Sequence, residues 1–246
     1  MRIIVVKDKE AMGKRAADLV QAEMARHANP VLGLATGSTP LPLYQELARR
    51  CKKGLDFSTT ITFNLDEYVG LKPNHSQTYR HFMNTNLFDH INIVKKNTHV
   101  PNGMAKDIEA ECERYEQMIE DCGGVDLQVL GIGSNGHIGF NEPGSSFMSR
   151  TRIKTLTEET VNDNARFFKK RSDVPTLALT MGIGTILDAR KCILLASGAN
   201  KVDAIKAACE GPMTAMCPAS ILQFHRYATL VVTKDAASAL TLHVEH

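Results

Sequence analysis

The chain has 246 residues, a length that fits one α/β domain. Apolar residues make up 43% and charged residues 23%, which excludes wholesale disorder and a fibrous architecture. Twenty-nine basic against 27 acidic residues leave a net charge of +2, too balanced for a nucleic-acid or membrane-surface partner.

In chain order, short apolar runs alternate with amphipathic stretches. A strand is predicted at 3–6, then a helix over 9–26, a strand at 31–35, a helix over 42–52 and a strand at 60–65. Helical spacing returns over 107–120, followed by strands at 127–131, 177–180 and 192–196. A helix over 201–209 and a strand at 229–233 close the order. Strands alternating with helices imply βα units, so the expected fold is α/β, with a mostly parallel sheet and helices on both faces. No internal repeat or low-complexity linker interrupts residues 1–246, and one domain is expected. No apolar run approaches the ~18 residues needed to span a bilayer. MRIIVVKDKE turns charged too early for a secretion signal, and a cytoplasmic location is expected.

None of the six cysteines forms a C-x-x-C pair, which argues against a zinc ribbon or a disulfide framework. His243 and Glu245 form an H-x-E triplet, but no P-C-x-x-C follows to supply the ligands of a zinc deaminase. H-E-x-x-H, G-x-x-x-x-G-K-[ST] and G-x-S-x-G are also absent.

Parallel α/β sheets place ligands beyond the carboxyl ends of their strands, and three such ends carry distinctive chemistry. In VLGLATGSTP (31–40) a strand runs through Gly37, Ser38 and Thr39 into a helix. Backbone N–H groups and the positive helix end there suit a phosphate. Ser38 or Thr39 can equally cap a helix with no ligand, so local sequence leaves both readings open. In ITFNLDEY (61–68), Asp66 ends an apolar strand, where partial shielding from water would raise its proton affinity and make it a general base. A helix cap or a salt-bridged acid is the competing reading. In GIGSNGHIGFNEPG (131–144) the glycines fit G-x-G-x-x-G, but Gly139, Pro143 and Gly144 break the helix that a dinucleotide site requires. What is left is a glycine-rich loop presenting His137 and Glu142 to proton chemistry near neutral pH. Residues 150–171 hold seven basic residues against three acids, read either as a solvated face or as an anion-binding flap.

Together GLATGSTP (33–40), TFNLDEYVGL (62–71), GIGSNGHIGFNEPGSS (131–146), SRTRIKTLT (149–157) and NARFF (164–168) resemble the glucosamine-6-phosphate deaminase family. The resemblance implies a Rossmann-like three-layer α/β/α fold and conversion of glucosamine 6-phosphate to fructose 6-phosphate and ammonia in amino-sugar catabolism, without metal or cofactor. By that resemblance Asp66 takes the C2 proton, and His137 opens the sugar ring with Glu142 and Asn135. Gly37, Ser38, Thr39, Arg166 and Lys201 would grip the phosphate, and residues 157–175 would form a mobile lid.

Asn135 stands where well-studied relatives have Asp; it can orient the imidazole but cannot supply a charge to a protonated one. Arg152, Lys154 and Thr155 match effector-site positions, but the longer C-terminal tail of the allosteric hexamers is missing, so weak or absent allostery is expected. The expected partner is a small amino-sugar phosphate, not a nucleic acid or a membrane, and both monomer and homo-oligomer stay open. The competing functions are another sugar-phosphate enzyme of the same fold (galactosamine-6-phosphate deaminase/isomerase or 6-phosphogluconolactonase), a non-catalytic sugar-phosphate sensor, and a dinucleotide-dependent oxidoreductase.

Overall fold

A computed structural model describes residues 1–165, 168, 170–242, 244 and 245, without the side chains of residues 159, 160, 163, 164 and 172. β1 (Arg2–Val6) leads to α1 (Lys9–Met24), capped by the Asp8 carboxylate, which accepts from the Ala11 N–H at 2.8 Å. β2 (Val31–Leu34), α2 (Leu41–Cys51) and β3 (Ile61–Asn64) follow, then a three-residue strand β4 (Asp66–Tyr68) and a short helix α3 (Tyr79–Met83). β5 (Thr98–His99), α4 (Ile108–Asp121) and β6 (Leu127–Leu130) complete the first half. The second half holds β7 (Arg152–Thr155), α5 (Glu158–Ala165), β8 (Leu177–Thr180), α6 (Ile183–Leu187), β9 (Cys192–Ala196), α7 (Val202–Glu210) and β10 (Ala228–Thr233).

Among the described residues, seven strands form the main sheet in the order β1-β10-β9-β6-β2-β3-β5. Every pairing in it is parallel. Its strands are buried on both faces, which is why they read as unbroken apolar runs rather than as alternating ones. Met12, Val20, Leu43 and Leu47 of α1 and α2 fill one side of the sheet. Tyr115, Ile119, Ile186 and Ile205 of α4, α6 and α7 fill the other. The three-layer α/β/α expectation is met.

The strand expected at 177–180 forms, but not in the main sheet. β8 pairs antiparallel with both β4 and β7 in a separate three-stranded sheet. Its apolar residues are covered by a small third cluster of Tyr68, Phe140, Leu156, Val161 and Val174. Val161 and Val174 anchor the segment expected to be a lid, and α5 lies within it.

The two sheets join at Leu65. Its N–H donates to the Leu34 carbonyl at 3.0 Å, extending the main sheet, while its own carbonyl accepts the Met181 N–H at 2.7 Å, on the small sheet.

Candidate active site

Four adjacent strands of the main sheet, β9, β6, β2 and β3, end on the same side because they run parallel. Lys201 follows β9, the loop 131–144 follows β6, Gly37–Thr39 follow β2 and Asp66 follows β3. Four of the predicted site elements are therefore brought to one end of the sheet by topology alone.

Asp66 is 6% exposed. Burial pushes its carboxyl up from 3.8 to about 8, and the neighbouring charge of Glu67 adds to the rise. Tyr44, Tyr68, Tyr79 and Tyr115 each feel its charge, and burial raises all four phenols, so they stay neutral. Two of them are tied to backbone: Tyr44 donates to the Ala35 carbonyl at 2.5 Å and Tyr115 to the Asn64 carbonyl at 2.8 Å. A carboxyl kept dry this way holds its proton near neutral pH, which suits a group that takes a proton and gives it back.

The loop after β6 is clipped onto the strand opposite Asp66. Asp66 faces Thr180 across the small sheet. The Thr180 hydroxyl oxygen accepts the Phe140 N–H at 3.1 Å, and the Asn141 amide donates to the Met181 carbonyl at 2.8 Å. A methyl group placed on Gly139 would lie 3.6 Å from Asp66 Oδ2, so the loop passes directly beside that carboxyl.

Asn135, His137 and Glu142 form one hydrogen-bonded group. Asn135 Nδ2 donates to Glu142 Oε2 at 2.9 Å, which orients its Oδ1 toward His137 Nδ1 at 2.8 Å. An amide oxygen only accepts, so Nδ1 carries the hydrogen and Nε2 keeps a lone pair for substrate. Glu142 Oε2 lies 3.4 Å from the same Nδ1. The imidazole lies flat against Gly133, where a Cβ would sit 2.2 Å from the ring.

Gly37 has φ +91°, a left-handed conformation that a side chain would strain. Of the two readings left open for this turn, capping by Ser38 or Thr39 is not what forms: Pro40 is the cap residue of α2, with no side-chain bond to the helix. The capping reading drops out, and Gly37 and Ser38 are exposed on the turn. Both line a cleft of about 270 Å³ together with Tyr68, Tyr79 and Phe168.

Arg166 lies outside the described residues. Arg152, Lys154 and Thr155 lie on β7, at the edge of the small sheet, where Arg152 pairs with Thr180 on the side away from Asp66. The cleft beside Arg152 is lined by Glu109, Glu113, Glu116 and Glu120 of α4. No cluster of three or more metal-ligating side chains occurs among the described residues, and no helix among them is long and apolar enough to cross a membrane.

Glu67 and Thr180 escaped the sequence reading. Adjacency to Asp66 was the one available signal for Glu67; Thr180 carried none, because its role depends on a strand pairing between residues far apart in the chain.

A family model described as glucosamine-6-phosphate isomerases/6-phosphogluconolactonase matches residues 7–231. The glucosamine-6-phosphate deaminase of Thermoanaerobacter sp. (strain X514) is 52% identical over 241 residues, covering 98% of this chain and 95% of that protein. That of Shewanella halifaxensis (strain HAW-EB4) is 55% identical, covering 98% and 92%. Among solved structures, a monomeric glucosamine-6-phosphate deaminase matches with a TM-score of 0.95 at 43% identity, covering 98% of this chain and 100% of that one. The 6-phosphogluconolactonase from Trypanosoma cruzi matches with a TM-score of 0.79 at 19% identity, a likeness of fold alone.

Proposed function

This chain belongs to the glucosamine-6-phosphate isomerase/6-phosphogluconolactonase family, and from that premise we propose that it is a glucosamine-6-phosphate deaminase. It converts the amino-sugar phosphate to fructose 6-phosphate and ammonia. The observation that carries this reading is a dry carboxyl at 66 beside a loop that presents an oriented imidazole at 137.

The division of labour follows from the chemistry. The turn at Gly37, Ser38 and Thr39, with Lys201 and Arg166, holds the 6-phosphate, and that remote binding orients the reacting carbons. His137 Nε2 takes the O1 proton of the closed sugar, and a proton returns to O5 as the ring opens. Asn135 and Glu142 hold the ring and its tautomer during this exchange. Asp66 then removes the proton from C2, and electrons move to give an enolamine. Protonation at C1 by the same acid leaves an iminium at C2, to which water adds and from which ammonia departs. A lactonase has no need of a base at C2, so Asp66 favours deamination over lactone hydrolysis.

The 43% identical monomeric structure supports a site completed within one chain, since each group named here comes from this chain. Residues 1–246 then act as one α/β domain, with 157–175 as the lid over the crevice.

The test is coupled detection of fructose 6-phosphate and ammonia from glucosamine 6-phosphate. Native protein yields both in equal amounts, and Asp66→Asn loses at least ~100-fold in turnover, the lower end for removal of a general base. Equal turnover by the variant overturns the assignment of the base, and absence of ammonia from the native protein overturns the activity.

A further inference from the structure

We propose that Glu67 is a positioning residue for the base: seated on the backbone N–H groups that open α3, its carboxylate locks the base strand in place and keeps a second negative charge beside Asp66. The proposal rests on the functional reading above, in which Asp66 is the base.

Glu67 is 5% exposed, and as the next residue of β4 it points to the opposite face from Asp66. Its Oε1 accepts the N–H groups of Tyr68 and Tyr79, each at 2.9 Å. Its Oε2 accepts the Arg80 N–H at 3.0 Å. All three partners are donors, the arrangement that favours a carboxylate over a carboxylic acid.

α3 runs on directly into a π-helical turn at Asn84–Phe88, and the orphan N–H groups of its first turn are what need outside acceptors. Glu67 and the cap Thr78 satisfy the N–H groups of its first turn. What α3 holds in place is the site. The Tyr79 ring stacks on Phe140 of the His137 loop, with centroids 6.2 Å apart and planes 13° apart. It also lies 4.8 Å from the Tyr68 ring of the base strand and lines one cleft with Gly37 and Ser38 of the phosphate turn. One carboxylate thus connects the base strand, the ring-opening loop and the phosphate turn.

The electrostatic part follows from what surrounds Asp66. Among the described residues, those whose charge interactions are with Asp66 include Glu67 and Tyr68 from β4, Tyr44 from α2, Tyr79 from α3 and Tyr115 from α4, and the loop carrying His137 and Glu142 passes beside it. The four phenols are neutral, and Glu67 is the charged neighbour that acts on Asp66. The Arg80 guanidinium donates to Thr98 rather than to Glu67, but its charge favours the ionised form of Glu67, against the burial that raises its carboxyl. A like charge beside Asp66 raises the pH at which Asp66 gives up its proton. Without that charge the base would ionise at lower pH and its conjugate acid would be a stronger acid.

The experiment compares pH profiles of kcat/KM for native protein, Glu67→Gln and Glu67→Asp. In parallel, carboxyl-carbon NMR follows Asp66 and Glu67 in substrate-free protein, with Asp66→Asn to assign the signal of the base. The expected result is an acidic limb lowered by about one pH unit in Glu67→Gln, with the same fall in the Asp66 titration. Glu67→Asp keeps the charge and the limb but loses about threefold to tenfold in kcat, because its shorter side chain cannot reach both N–H groups of α3. A folded Glu67→Gln with unmoved limb and titration overturns the proposal. If that variant does not fold, native protein decides: Glu67 ionised throughout the Asp66 titration supports the proposal, and Glu67 protonated throughout overturns it. Native protein that releases no ammonia defeats the functional reading instead, and the NMR titration still reads the coupling of the two carboxyls.

Discussion

At the residue scale, the imidazole of His137 is placed as much by an absent side chain as by its hydrogen bonds. A methyl on Gly133 would sit 2.2 Å from Cε1 and 2.3 Å from Nδ1, so Gly133→Ala must drive the ring off Asn135. Steady-state kinetics of that variant should show kcat reduced at least ~10-fold, since displacement of a reacting group by about 1 Å can cost ~100-fold. KM should stay within a few-fold, because the turn at Gly37 and Ser38 proposed to hold the phosphate is a separate piece of the chain. This level of detail was partly legible in the sequence. A loop so dense in glycine, carrying one histidine and one glutamate at a strand end, has few structural reasons to exist. That the first of its inner glycines serves as the floor for the imidazole was not legible, because ring-on-backbone contact leaves no spacing signature.

At the element scale, the small sheet β4-β8-β7 does what the main sheet cannot: it carries an element from the far half of the chain back against the base. Thr180 is the joint. It faces Asp66 in the pairing and its hydroxyl oxygen accepts from the Phe140 N–H. Thr180→Val keeps the shape but leaves that buried N–H without an acceptor, at a cost of about 1–3 kcal/mol. Looser seating of the loop should lower kcat about tenfold, and Thr180→Ser should recover most of the loss; a valine variant with native kcat would remove Thr180 from the site. The main-sheet strands were readable because burial on both faces makes them continuously apolar. β8 has the same signature, so the sequence could not say which sheet it joins. β4 and β5 have three and two residues, too few to show a period. β7 reads R-I-K-T and lies in a stretch whose basic residues dominate its composition.

At the scale of the whole molecule, a dry carboxyl weakens the fold that contains it. Burial moves the Asp66 carboxyl from 3.8 to about 8, so between those values the folded chain binds a proton that the unfolded chain releases. Stability therefore falls as pH rises through that window, since it rises with pH only where the unfolded state binds more protons. Asn at 66 has no proton to lose. Melting curves of Asp66→Asn and native protein should nearly coincide at pH 4 and separate as pH rises, with the variant at least about 4 °C higher at pH 8. A constant difference across the range would mean that Asp66 is not held protonated by burial.

The bond pattern at Leu65 bears on motion. Its amide is fastened to one sheet and its carbonyl to the other, and the base is the very next residue. A tilt of the three-stranded unit against the seven-stranded one would be felt at this peptide and would carry Asp66 with it. If Asp66 is the base, seating of substrate between the two sheets and aim of its carboxylate are mechanically linked.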